Sequence, residues 1–356
     1  MSRTPVMLLF LLLCGFARPE AAPAQDTAAV ELRGRVSAAD GGGVEGVWAF
    51  ARTGAHADSA AVDAAGRFAL RLPAAAAREG VEVRLDAAGG AAGRHLPAAV
   101  RVPGGELGAE QGFVLAPREW TIPVGRYTGT RVPVRPELAL KPLCEGCSSF
   151  YRRAPAGRAG EAPRAVRSWP ERAYPLRVAF DREASVGRIT ARDSAAFWGI
   201  VEELEATLGS DLFRPASFQE TLPRPEDDPE DVVLVRVDPT LRISGLGSTA
   251  TQGSDIIYGE LQVKWASLVT GPDGPGLVTH ELMHTLGLGH TCAWTSVMAV
   301  HTSCPSRRSE SLTPEDVAYA QLLRRAREVQ RETGARWGIE WAEPSAPVAG
   351  AAAATP

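Results

Sequence analysis

His280-Glu281-Leu282-Met283-His284-Thr285-Leu286-Gly287-Leu288-Gly289-His290 reads H-E-x-x-H-x-x-G-x-x-H. On a helix, residues four apart share a face, so His280 and His284 can grip one metal ion. Glu281 follows the first of them directly and sets a carboxylate beside that ion. His290 lies too far along for the same helix to deliver it, so the chain must reverse in between. Gly287 stands at the reversal, where a residue free to adopt φ > 0 is needed. Three neutral imidazoles leave a fourth tetrahedral position for water. Zinc lowers the pKa of such a water to roughly 7, within reach of a neighbouring carboxylate base. A helix that merely carries two surface histidines would explain H-E-x-x-H, but not the glycine and third histidine at fixed offsets. Only six histidines occur in the chain, and three of them fall on this pattern.

A second element lies downstream. Ser296-Val297-Met298 follows His290 after a short loop, and Met298 is one of four methionines. The extended histidine signature followed by a methionine turn resembles the metzincin zinc metallopeptidases. The short connection from His290 is similar to that of matrixins. The resemblance covers about Leu176 to Glu328. It implies one catalytic Zn2+ held by His280, His284 and His290, with Glu281 as general base and Met298 supporting the site from below. It further implies a protein or peptide substrate. Astacin-like and serralysin-like members carry a tyrosine two residues after the methionine. Here that position is Val300, so a tyrosine that swings on and off the metal is not expected.

Length, charge and termini narrow the setting. The 356 residues leave room for two domains and tails. The net charge of −4 and the absence of a basic run argue against nucleic acid as a partner. Residues 1–24 read as a signal peptide: Arg3, an apolar core from Val6 to Ala17, then Ala22-Pro23-Ala24 as the cleavage site. The expected location is therefore secreted, extracellular or periplasmic. No later run approaches the length of a membrane span, so no transmembrane anchor is expected. Leu13 stands where a lipidated cysteine calls for a small neighbour, which disfavours anchoring through Cys14. The four remaining cysteines suggest two disulfides in an oxidising compartment, Cys144–Cys147 and Cys292–Cys304. Matrixin pro-segments cap the metal with a cysteine in a P-R-C-G pattern. Pro142-Leu143-Cys144-Glu145-Gly146-Cys147 lacks the arginine of that pattern.

Residues 25–116 show short alternating strands with glycine-rich turns. Strand positions are Val30, Leu32, Gly34 and Val36; Val44 to Phe50; Phe68, Leu70 and Leu72; Val81, Val83 and Leu85; Val100 and Val102; and Phe113 to Leu115. This spacing predicts a small β-sandwich. Gly34-Arg35-Val36, Gly46-Val47 and Asp63-Ala64-Ala65-Gly66-Arg67-Phe68 resemble a carboxypeptidase regulatory-like, transthyretin-type domain. His56 and His95 are isolated, and each is read as a loop or surface residue. Residues 117–168 read as a connector with the C-x-x-C, lying over the next domain. Trp120 to Pro123 and Arg131 to Val134 are edge strands or linker.

Residues 169–332 carry an α/β pattern. Leu176, Val178 and Phe180 open a strand. Thr190 and Asp193 cap a helix whose stripe is Phe197, Ile200, Val201, Leu204 and Leu208, ended by Gly209. Asp211 to Glu230 reads as a Pro-rich acidic loop, and its run Glu226-Asp227-Asp228 offers a weak structural Ca2+ option. Val232 to Val237, Ile256 to Tyr258 and Leu261 to Val263 are strands. Ser244 to Gly259 is the expected substrate rim, where an edge strand pairs with an extended peptide. Thr313-Pro314-Glu315-Asp316 opens a last helix, and 333–356 reads as a low-complexity tail. The expected architecture is multidomain: a β-sandwich, then an α+β metzincin-like catalytic domain. A rival reading is a non-catalytic extracellular binding protein with a structural zinc site, against which the intact Glu281 argues. A hydrolase of non-peptide amides is a weaker third.

Overall fold

The computed structural model describes residues 29–54, 56–86, 93–134, 168–181, 189–216, 231–252, 255–291, 294–299 and 308–337. The expected signal peptide, Cys14, both cysteine pairs, the 226–228 acidic run and Val300 lie outside the described residues. The fold is mixed α/β, with several sheets.

The first half supplies β1 (Ala29–Ala38), β2 (Trp48–Thr53), β3 (His56–Ala61), β4 (Arg67–Pro73), a short helix α1 (Ala76–Glu79), β5 (Val81–Asp86), β6 (Ala98–Val102) and β7 (Gln111–Leu115). One sheet has the order β3-β2-β5-β6, with all three pairings antiparallel. In the other, β1 lies between β4, antiparallel, and β7, parallel. Inward-facing Leu32, Val36, Phe68, Leu70, Leu72, Val83, Leu85 and Phe113 form one buried cluster between the sheets. Their period-two spacing is the alternation read in the sequence. β3 was not legible there: His56-Ala57-Asp58-Ser59-Ala60-Ala61 has no apolar alternation, and it forms the sheet's edge.

β7 is buried on both faces. Phe113 and Leu115 point into the first cluster, while Val114 and Ala116 belong to the core of the second half. The expected connector begins as a hairpin, β8 (Glu119–Thr121) with β9 (Arg131–Pro133). Its Trp120, Ile122, Val132 and Val134 are buried in that same second core. His95 differs from its expectation as a loop or surface residue. It is 1% exposed, bridged to Pro117 and 3.6 Å from Asp40. The chain segment around it is folded under the hairpin's first residues, a long-range burial that local polarity does not report. His56 is exposed, as expected, with its Nε2 3.0 Å from the Arg71 carbonyl.

The second half runs β10 (Leu176–Phe180), α2 (Ala191–Leu208), β11 (Phe213–Pro215), β12 (Val232–Val237), β13 (Gly245–Gln252), β14 (Asp255–Val263), a short helix α3 (Ser267–Thr270), α4 (Gly274–Thr285) and α5 (Pro314–Thr333). Five strands form one sheet in the order β11-β10-β12-β14-β13. The first four are mutually parallel, and β13 is the antiparallel edge. α2 begins with the capping box of Thr190 and Asp193 and ends at Gly209. Its stripe of Phe197, Ile200, Val201, Leu204 and Leu208 is buried, each side chain contributing roughly 1.5–3 kcal/mol. α2 and α4 share the core on one face of the sheet with Val178, Val233, Val235 and Leu261. The segment expected as loop from Asp211 contains β11, because Phe213 adds its backbone to β10.

The chain past α5 is also ordered where a tail was expected from residue 333. β15 (Arg336–Trp337) joins β7 in parallel. A two-residue strand has too little sequence to carry a pattern, and its backbone partner lies more than two hundred residues upstream. Among the described residues, no helix is long and apolar enough to cross a membrane.

Candidate metal centre

The site is built on α4, the turn that ends it, and the segment 294–299. α4 presents Leu277, Val278, Leu282 and Met283 to the core, which leaves His280 and His284 on the opposite side. The helix ends in a Schellman turn: the Gly287 N–H donates to the His284 carbonyl (2.9 Å) and the Leu288 N–H to the Met283 carbonyl (3.0 Å). Gly287 has φ 95°, the left-handed conformation that this turn requires. The reversal brings His290 back over the helix. Trp169, fully buried, anchors the last turn by donating its indole N–H to the Thr285 carbonyl (2.7 Å).

The three ring nitrogens converge. Nε2 of His280 lies 3.1 Å from those of His284 and His290, and the last two are 2.9 Å apart. Nδ1 of His280 faces the Val297 carbonyl at 2.7 Å, and Nδ1 of His284 faces the Leu288 carbonyl at 2.8 Å. A carbonyl can only accept, so both Nδ1 atoms carry the proton and both Nε2 atoms present lone pairs. Lone pair against lone pair at 3.1 Å is repulsive unless a cation lies between them. A tetrahedral ion with metal–nitrogen bonds of about 2.0–2.1 Å spaces its donors by about 3.3 Å. The cluster can therefore hold a metal ion, with a donor set compatible with zinc. Burial depresses the His280 pKa to about 4, against the Val297 carbonyl that raises it, so the ring stays neutral as a ligand must.

Glu281 is 5% exposed, and its Oε2 accepts the backbone N–H of Gly247 on β13 at 2.5 Å. Burial raises its pKa to about 7, partly opposed by that N–H and by the charge of Arg308. The close approach of β13 explains two glycines. A Cβ at Gly247 would sit 2.3 Å from the Glu281 carbonyl oxygen and 2.6 Å from His284 Cβ; one at Gly245 would sit 2.8 Å from Glu281 Oε1. Gly247→Ala should therefore destabilise the protein by about 2 kcal/mol or more and loosen the carboxylate. Thermal unfolding checks the first effect, and an unchanged midpoint would contradict the packing described.

Met298, 1% exposed, lies in the turn beneath the histidines; its carbonyl accepts from the Thr291 N–H and its N–H donates to Ser296 Oγ. Sequence reasoning missed what fixes this turn. The Asp316 carboxylate closes the α5 capping box with Thr313, and it also accepts from Trp294 Nε1 (3.1 Å), the Val297 N–H (3.1 Å) and Ser296 Oγ. The capping position was visible in Thr313-Pro314-Glu315-Asp316. The reach of the same carboxylate back to residues 294–297 has no local signal. Of the residues expected at the site, the structure brings together His280, His284, His290, Glu281 and Met298. Comparison with protein-family models, curated proteins and solved structures found no match to this chain.

Proposed function

We propose that the chain is a zinc-dependent hydrolase of peptide bonds. The observation that carries this reading is the convergence of three imidazole Nε2 atoms beside a buried carboxylate. Within that class, the fit is to a matrixin-like metzincin endopeptidase, exported by its N-terminal signal, with the two facing sheets of residues 29–116 as an accessory sandwich. Strand, long helix, strands and then metal helix succeed one another as expected for that family. The antiparallel edge strand β13 lies alongside the metal helix, where an extended substrate would add as a further strand.

His280, His284 and His290 would hold the ion. When bound, zinc supplies acidification of water and polarisation of the scissile carbonyl. Glu281 takes the proton of the attacking water onto its carboxylate and returns it to the leaving amine nitrogen. Burial raises the proton affinity of this carboxylate, which suits a group that must gain and lose the proton in one cycle. The Gly247 N–H holds one carboxylate oxygen, which fixes the orientation of the other. The Val297 and Leu288 carbonyls orient the rings of His280 and His284.

The test is hydrolysis of denatured casein and of a mixed peptide library by the zinc-loaded protein. Cleavage should stop with a chelator such as 1,10-phenanthroline and return on adding zinc. A zinc-loaded, folded protein that cuts neither substrate would overturn the peptidase reading and leave a binding role.

A further inference from the structure

We infer that Trp169 is a positioning residue for the metal: its indole holds the peptide just past His284 and so sets how tightly the three histidines grip an ion. This rests on the metal-binding half of the reading above and not on peptide cleavage. The last carbonyls of a helix have no partner within it. At the end of α4, those of Leu282, Met283 and His284 are taken up by the turn itself, through the N–H groups of Leu286, Leu288 and Gly287. The Thr285 carbonyl instead meets a donor from far upstream, the Trp169 indole N–H at 2.7 Å, and both residues are buried. The peptide held in this way lies between His284 and the Gly287 reversal. Past the reversal stand Leu288, whose carbonyl faces Nδ1 of His284, and then His290, whose Nε2 meets that of His284.

Trp169 is itself held by two other elements. On β14, Gly259 leaves the slot for the ring: a Cβ there would sit 3.2 Å from Trp169 Cζ2 and 3.2 Å from Thr285 Cβ. The Ile256 N–H of the same strand donates to the Ser168 carbonyl at 2.9 Å, which ties down the residue before the tryptophan. On α5, Arg331 donates to the Trp169 carbonyl at 2.9 Å. The same guanidinium reaches Asp255 at 3.1 Å, and Arg327 meets that carboxylate at 2.6 Å. Groups beyond the ligands control a metal by fixing the orientation of the rings that bind it. For His284 that orientation comes from the Leu288 carbonyl, and Trp169 fixes the peptide by which the chain enters the turn carrying it. β14 and α5 thus act on the ion through one indole.

The experiment uses the full chain and Trp169→Phe, which keeps a ring in the Gly259 slot and removes the N–H. A competition titration with a chromophoric chelator, run well below the unfolding temperature, should show zinc affinity lowered about tenfold. With Co2+ in place of zinc, the visible absorption should shift, reporting altered ligand geometry. In the metal-free protein, hydrogen exchange should quicken at the Leu286, Gly287 and Leu288 amides. Arg331→Met keeps the indole and removes the donor to its backbone, so it should move the same readouts in the same direction by less; it decides the matter if Trp169→Phe fails to fold. Leu70→Ala, in the separate core between the first two sheets, controls for lost stability. It should lower the unfolding temperature and leave the zinc affinity and the Co2+ spectrum as they are. Unchanged affinity and spectrum in Trp169→Phe and Arg331→Met overturn this inference, and so does an equal loss of affinity in Leu70→Ala. A wild-type chain that binds no zinc overturns the metal reading with it. One that binds zinc and cuts no peptide overturns the peptidase reading alone.

Discussion

Glu281→Gln is expected to lower kcat/KM for peptide hydrolysis by about a thousandfold or more while the protein still binds one zinc. Glutamine has nearly the same shape, and its amide oxygen can accept the Gly247 N–H that now meets Oε2. The three Nε2 atoms and the carbonyls that orient two of the rings are untouched. What is lost is the ability to accept a proton from water and return it to the amine. Steady-state kinetics, with metal content measured on the same samples, separates the two quantities. Equal activity would show that Glu281 is not the base. Lost metal together with lost activity would show that it acts through the site's assembly.

Asp316→Ala is expected to destabilise the fold by about 3–5 kcal/mol, the cost of leaving buried donors without their charged partner. The Trp294 indole N–H, the Ser296 hydroxyl and the backbone N–H groups of Val297 and Thr313 all point at this carboxylate. Burial pushes its pKa up, and these same donors pull against that. The substitution should also weaken zinc binding by about ten- to a hundredfold, because the Val297 carbonyl that orients His280 sits in the peptide chain that Asp316 secures. Thermal unfolding of the metal-free protein measures the first effect, and a competition titration with a chromophoric chelator measures the second. Loss of stability with unaltered zinc affinity would show that Asp316 caps α5 and does nothing for the metal turn.

What could be read from the sequence depended on how local its cause was. The metal helix, the Gly287 reversal and the Thr190 and Thr313 caps are written within a dozen residues each, and the structure has them in place. The glycines along Ser244 to Gly259 were legible as suited to a close backbone approach, though only the structure shows that Gly245 and Gly247 make it against Glu281. Elements whose cause is distant were missed. His95 looks like a surface residue until Pro117 closes over it. β3 and β15 are strands through their partners, not through their own composition. Asp316 was seen as a cap, yet three of the four hydrogen bonds to its carboxylate come from residues about twenty positions earlier.

The return of the chain end to β7 bears on how the molecule would respond to being cut. β7 is hydrogen-bonded to β1 on one side and to β15 on the other, and its Val114, with Ala116 just past its end, sits in the core that α5 helps to form. A single nick between residues 134 and 168 would break the covalent link between the halves without separating them. The expected product is a two-chain species that comigrates on gel filtration and parts only under denaturant. Maturation that required release of the first half would need a second event to peel β15 away.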